Sequence, residues 1–362
     1  MEIKVFFIAL SRILSIFTPA IPQRMNLKSI FYQIPKVLPM SFDSLLNRNP
    51  VPLVVPFYHT VSDTPLPHCK HILSVKSVAQ FENDLEYLLR HYTPIGVSEL
   101  LQHISDEKPI LKPSFFLTFD DGLSQLHDII APVVLRKGVP AAFFVNTAFI
   151  DNKALFYRFK ISLLIEAEQH KRIPNSRMLQ LQKLLQKENK RYKTLSDLLD
   201  LRFHNETLLD ELATILDCDF IEFLKQEKPY ISTEQVHSLI KQGFEVGSHS
   251  EDHPLYFAVS PEEQIRQTIA GVEFINNTFH VPHRLFSFPF TDEFLSLDFF
   301  GQIAPHIDLS FGTAGLKQDV VPTNIQRISM EVAGMTAEQI LKAEYLYYVF
   351  KTPFHKNLIR RK

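Results

Sequence analysis

Residues 115–122 read Phe-Phe-Leu-Thr-Phe-Asp-Asp-Gly, a short apolar run that stops on two carboxylates and a glycine. Such a run, closed by turn residues, is a buried strand, and its neighbours along the chain decide which kind. On either side, short apolar runs alternate with amphipathic stretches at helical spacing, the pattern of a mostly parallel α/β sheet or barrel. Upstream, 53–58 is a strand and 77–91 a helix with Val78, Phe81, Leu85, Leu88 and Leu89 on one face. A second helix covers 98–104 with Ser98 as its N-cap. Downstream, a helix over 123–137 is closed by Gly138 and followed by the strand 141–145. Ser232 and Gln235 form a capping box for a helix over 233–242, which ends at Gly243 and feeds a strand over 244–247. Between them, 152–229 is Leu-rich, charged and strand-free, and reads as a helical insertion with solvated faces.

The chain is 362 residues long, with 45% hydrophobic and 22% charged residues, a globular balance with ample material for a core. Lys and Arg total 38 against 40 Asp and Glu, so no basic excess exists to neutralise a nucleic-acid backbone. Cys69 and Cys218 are too few and too far apart for a disulfide framework or a thiolate zinc site. The first twenty residues are apolar but broken by Ser11 and Arg12, short of a membrane span. Ile3, Phe6, Phe7, Leu10, Leu14 and Phe17 share a helical face, which suits a docked helix or peripheral membrane contact. Cysteine scarcity and this weak leader point to the cytoplasm or the inner membrane surface, while Thr18-Pro19-Ala20 keeps export open. The organisation expected is an N-terminal arm over 1–49, a barrel over 50–335 and a C-terminal tail over 336–362.

Three segments place metal-competent or turn-forming residues at strand ends, where parallel barrels build their sites. They are Thr118-Phe119-Asp120-Asp121-Gly122, Ser248-His249-Ser250-Glu251-Asp252-His253 and Ser287-Phe288-Pro289-Phe290. One Asp and two His make a catalytic zinc-type donor set with an open position. Adjacent carboxylates at a strand end point opposite ways, so one can bind metal while the other faces water, and Gly122 permits the sharp turn.

The segments FFLTFDDG (115–122), FEVGSHSEDHPL (244–255) and FSFPF (286–290) resemble the successive motifs of the NodB-type polysaccharide deacetylases, carbohydrate esterase family four. The resemblance spans roughly residues 51–330 and implies a distorted (β/α) barrel that removes acetyl groups from N-acetylated sugars with one divalent metal. Zinc is the first expectation for that ion, with cobalt and nickel open. Residue by residue, the resemblance makes Asp121, His249 and His253 metal ligands and Asp120 the catalytic base, and it places an oxyanion donor around Pro289 and Phe290. The early Phe57-Tyr58-His59-Thr60-Val61 further resembles the branch containing poly-N-acetylglucosamine deacetylases, which nominates His59 as general acid.

Two departures stand out. The motif Arg that usually orients the base is replaced by Ser287, with Arg284 or Arg327 as substitutes, and no late Leu-x-His follows. Asn146 and Thr147 are read as substrate contacts, and His68 and His71 as lining the mouth or a surface loop. His127 and His237 are read as packing or surface residues, and Glu251 and Asp252 as shaping the loop between the metal histidines. Of Phe286, Phe288 and Phe290, at least two belong to the core. The expected function is N-deacetylation of a glycan, with an O-acetyl esterase or an inactive sugar-binding relic as alternatives.

Overall fold

The computed structural model describes residues 27–37, 52–105, 108–201 and 205–362. The expectations for residues 1–26 lie outside the described residues. Among those described, no helix is long and apolar enough to cross a membrane.

Eight parallel strands form the centre: β1 Pro56–Tyr58, β2 Leu117–Phe119, β3 Ala141–Val145, β4 Glu245–Ser248, β5 Leu285–Ser287, β6 Leu309–Gly312, β7 Asn324–Gln326 and β8 Ile328–Ser329. They are ordered β7-β6-β5-β4-β3-β2-β1-β8. The two edge strands are separated in sequence by Arg327 alone, so the sheet curls until its edges nearly meet: a distorted (β/α) barrel. Every residue of β3, Ala-Ala-Phe-Phe-Val, is buried, as expected where both faces of a parallel sheet are covered. Its alternation splits the core. Phe144 packs inward against Phe311 at 5.3 Å, whereas Phe143 stacks on Phe119 at 5.0 Å in the layer under the helices. Each such phenyl ring contributes about 1.5–3 kcal/mol by leaving water.

Helix α1, Val78–His91, starts on the Ser77–Gln80 capping box and buries Phe81, Leu85 and Leu88. Between β3 and β4 lie α2 Tyr157–His170, α3 Asn175–Glu188, α4 Glu206–Ile215 and α5 Phe220–Glu227, with no strand among the described residues. They close over their own leucine core, including Leu181, Leu185, Leu209 and Leu212. Helix α2 is far more buried than its mixed charges suggested, because Phe159, Ile161, Leu164 and Ile165 are enclosed. Helix α6, Thr233–Lys241, carries the Ser232–Gln235 box, and α7 is Pro261–Phe279. Residues 336–362 contain α8, Ala337–Lys351, which packs on α1 and on the short helix Leu27–Phe31. The tail's Leu358–Ile359 pairs with Gln318–Asp319.

Several boundaries differ from the sequence reading. The helix over 98–104 begins at Val97, with Gly96 as N-cap and its N–H donated to the Glu99 carboxylate at 2.8 Å. The stretch 123–137 is not one α-helix: Leu123 bridges to Tyr230, Leu126–Ile130 is a π turn, and α structure covers only Ala131–Arg136. Pro132 has no N–H for the carbonyl four residues back, so the helix widens before it. The runs at 53–58 and 115–119 each split, since Leu53–Val54 and Ser114–Phe115 first pair in a small sheet with Thr93–Pro94 before entering the barrel.

Candidate active site

The site occupies the C-terminal ends of β1, β2, β4 and β5, the face on which parallel barrels gather their functional loops. Asp121 follows β2 with φ +70° and Gly122 continues at φ +64°, so two successive left-handed residues reverse the chain. A side chain at Gly122 would also meet Val145 at 3.2 Å, which fixes glycine there twice over. Ser250, His253 and Phe290 also have positive φ, at 67°, 61° and 58°. Non-glycine residues in this region carry strain of order 1 kcal/mol or more, and such residues collect at functional sites.

Asp121, His249 and His253 come together as the sequence predicts, each offering one ligand atom, all within 4.8 Å of one another and all buried. Asp121 Oδ1 lies 3.4 Å from His249 Nε2 and 3.2 Å from His253 Nε2, yet accepts no hydrogen bond. His249 donates from Nδ1 to the Ser287 carbonyl at 2.8 Å, which leaves the Nε2 lone pair aimed at the cluster. A buried carboxylate oxygen without a donor, facing imidazole nitrogens, is what a divalent cation would satisfy. The residues therefore fit a metal ion. Burial works against the charged Asp121, but His59, His253 and His249 overcome it and hold the carboxyl well below its usual range. Burial pushes His253 down, toward the neutral form a ligand needs.

Asp120 turns the other way and meets Arg327. Nη1 and Nη2 donate to its two oxygens at 2.8 and 2.7 Å, Nη2 also to Ser287 Oγ at 2.7 Å, Nη1 to Thr118 Oγ1 at 3.2 Å and Nε to the Gly312 carbonyl at 3.1 Å. All five guanidinium N–H groups are thus used in a fully buried setting, with the Phe57 ring 4.5 Å away. Ser287 Oγ donates to Asp120 Oδ1 at 3.1 Å. The serine at the motif's arginine position therefore leaves room for a guanidinium arriving from the β7–β8 seam. Arg284 points elsewhere and pairs with Asp308 at 2.6 Å. Burial would raise the Asp120 carboxyl, yet Arg327 and then His249 hold it below its usual range.

His59 follows β1 and places Nδ1 2.5 Å from Glu331, whose other oxygen accepts the backbone N–H groups of His59 and Thr60. Burial alone would lower the imidazole; Glu331 outweighs it and pushes His59 up to about 10. Nothing in the local sequence marks Glu331, although its place four residues after Arg327 in Ile-Gln-Arg-Ile-Ser-Met-Glu-Val is the one available signal.

Phe290 turns out of the core by its positive φ and sets its ring 4.6 Å from that of His253. Among the described residues nothing accepts its N–H, while its carbonyl accepts from Thr313 Oγ1 at 2.8 Å. Pro289 is buried behind it and its carbonyl accepts the Thr291 N–H at 2.7 Å. Phe286 and Phe288 stay in the core with Tyr256 and Phe299. A cleft of about 330 Å³, lined by Ala148, Tyr157, His253 and Leu255 among others, opens beside the cluster.

Asn146, expected to contact substrate, is buried, and its amide donates to the His249 carbonyl, bracing the loop that carries His249 and His253. Thr147 likewise bonds backward, its N–H reaching the Ser250 carbonyl at 3.2 Å. Glu251 pairs with Arg266 at 2.5 Å and Asp252 accepts from Gln267 at 2.8 Å, both shaping the loop. His68 sits edge-on between Phe159 and Phe223, and His71 pairs with Glu166 at 2.6 Å, so both anchor the loop after β1 to the helical insertion. His127 bonds to Asp128 and Ser238, and His237 packs on Phe279.

Comparison with known proteins agrees with this geometry. Residues 107–294, more than half of the chain, match the family model described as polysaccharide deacetylase. The Streptococcus pyogenes deacetylase PplD in complex with acetate superposes with a TM-score of 0.51 at 13% identity, covering 82% of this chain and 99% of its own. IcaB from Ammonifex degensii gives 0.49 at 16% identity, covering 81% and 97%. At 13% identity the likeness to PplD bears on the fold alone. No curated protein sequence matches the chain. With its strand-end motifs, its barrel and the match across the centre of the sequence, the chain belongs to the polysaccharide deacetylase family.

Proposed function

We propose that the protein is a metal-dependent N-deacetylase that releases acetate from N-acetylhexosamine units of a glycan and leaves a free amine. The observation that carries this reading is the division of labour between Asp120 and Asp121: one carboxylate is held ionised by Arg327, the other faces two imidazoles. A divalent ion on Asp121, His249 and His253, zinc in our reading, would supply Lewis acidity toward the acetamide carbonyl and the attacking water.

The chain's own residues do the rest. Asp120 Oδ2, which lies 4.0 Å from His249 Nε2, takes a proton as the water oxygen adds to the carbonyl carbon. The Phe290 N–H faces the oxygen on which negative charge develops. His59, anchored through Nδ1, donates from Nε2 to the nitrogen as the C–N bond breaks, so amine and acetate depart with protons balanced. The His59–Glu331 pair supports placing the chain near the branch with an early Tyr-His motif. A five-donor arginine on the base also weighs against an inactive relic, because sugar binding alone has no use for a buried, oriented carboxylate.

The test is acetate release from N-acetylglucosamine oligomers by zinc-, cobalt- or nickel-reconstituted protein, beside matched O-acetylated sugars, with Asp120→Asn as control. Release from the amides that Asp120→Asn loses by about 10²–10⁴-fold fits the reading. Release from O-acetyl esters alone would assign an esterase instead.

A further inference from the structure

One cation at the site is unused by the reaction described above. Arg158, the second residue of α2, is half-buried with Cζ 4.3 Å from the centre of the Phe290 ring and 5.8 Å from that of Tyr157. Its Nε donates to the Tyr157 hydroxyl at 3.2 Å. Among the described residues no carboxylate pairs with it, although nearby cations do find partners: Lys153 has Asp151 and Lys160 has Glu206. The Phe290 ring that carries Arg158 is the same ring that touches the imidazole of His253. A guanidinium lying on an aromatic face keeps its terminal N–H groups pointing outward in its own plane, the fork that matches a carboxylate or phosphate. Partial burial without an acid partner is unfavourable for a cation, and packing on Phe290 alone would be met by an apolar side chain.

We propose that Arg158 is a specificity residue that binds an oxyanion carried by the substrate, a phosphate ester or a carboxylate on or next to the N-acetylated sugar. The proposal rests on the deacetylase reading and narrows its substrate to an anionic glycan. The helical insertion then supplies selectivity while the barrel supplies chemistry.

The experiment compares kcat/KM for three substrates of the metal-reconstituted full chain: a neutral N-acetylglucosamine oligomer, N-acetylglucosamine 1-phosphate, and an oligomer alternating N-acetylglucosamine with glucuronic acid. The expected result is a preference of about tenfold or more for an anionic substrate at low salt, carried by KM. The preference shrinks near about 0.5 M salt, disappears in Arg158→Met and is only partly kept in Arg158→Lys, which retains the charge but not the stacked fork. Preference for the phosphate or the uronate arm identifies the oxyanion's source. A ratio near one in the native chain, or an unchanged ratio in Arg158→Met, overturns the proposal. Calorimetry of glucosamine 1-phosphate and of a glucosamine–glucuronic acid disaccharide against glucosamine reads the subsite without turnover. Arg158-dependent binding of an anionic ligand by a protein that releases no acetate would remove the deacetylase reading and leave only an oxyanion subsite, whereas acetate release together with equal binding of all three ligands would overturn this proposal alone.

Discussion

Replacing Arg327 with Met removes the partner of a carboxylate that is 2% exposed, while leaving a side chain of similar length in the slot beside Phe57. Five hydrogen bonds vanish, two of them charge-assisted to Asp120. Stranding one member of a buried ion pair costs about 3–5 kcal/mol. Ser287 Oγ still donates to Asp120 Oδ1, which puts the expectation at the lower end of that range. The activity consequence has a definite sign. Burial favours the protonated carboxyl and Arg327 opposes it, so without Arg327 the base stays protonated to higher pH. The acid limb of the kcat/KM profile should move upward, and kcat/KM near neutrality should fall by about a hundredfold, equivalent to about 2.7 kcal/mol in the barrier. Urea denaturation gives the first quantity and acetate release between pH 4 and 9 the second. Arg327→Lys should behave nearly as badly, because three donors on a point charge cannot replace a five-donor fork. An acid limb that stays in place, with stability within about 1 kcal/mol of the native chain, would refute the assignment of Arg327 as the group that orients the base.

Other consequences follow from the same contacts. In the double variant Ser287→Arg with Arg327→Ser, activity should recover severalfold over Arg327→Ser alone, since a guanidinium from β5 then approaches Asp120 from the position Ser287 occupies; no recovery in acetate release would count against interchangeable arginine positions. Glu331→Gln removes the charge that holds His59 at about 10, so the basic limb of the pH profile should move to lower pH, and His59→Ala should lower turnover by about a hundredfold or more with metal content intact. His249→Ala should deplete bound metal, read by elemental analysis, without unfolding the barrel. His68 is lowered to about 4 by burial, against 6.5 for an exposed imidazole, so the unfolded chain binds more protons between those values. Stability should therefore drop by about 3 kcal/mol as pH falls from about 6.5 to about 4, and His68→Phe should flatten that dependence in urea titrations.

Residues 115–122 and 244–255 carried most of what the sequence could reveal, because their function depends on local order: a strand, a stop and donors at fixed spacing. Asp120, Asp121, His249 and His253 could be named for that reason. Ser287 was legible as a departure and Arg327 as one of two candidate substitutes, but the choice between it and Arg284 was not, since Arg327 lies 207 residues from Asp120 and reaches it only because the barrel nearly closes at the β7–β8 seam. Glu331 and Arg158 escaped notice for the same reason: their partners are set by tertiary contact with β1 and with the turn after β5. The bond Asn146 makes was not legible either, because it depends on the neighbouring loop folding over the residue and taking its amide. The left-handed residues Asp121, Ser250, His253 and Phe290 also carry no local signature, since glycine is absent at all four.

In the proposed mechanism the Asp120–Asp121 pair and the two histidines make a metal-dependent hydrolytic site. It is tested most directly by titrating metal-free protein with zinc while recording bound metal and acetate released from an N-acetylglucosamine oligomer or N-acetylglucosamine 1-phosphate. Activity should rise with occupancy and saturate at one ion per chain, and Asp120→Asn should bind the same ion yet release almost no acetate. Acetate release that is indifferent to metal, or an Asp120→Asn chain as active as the native one, would contradict it.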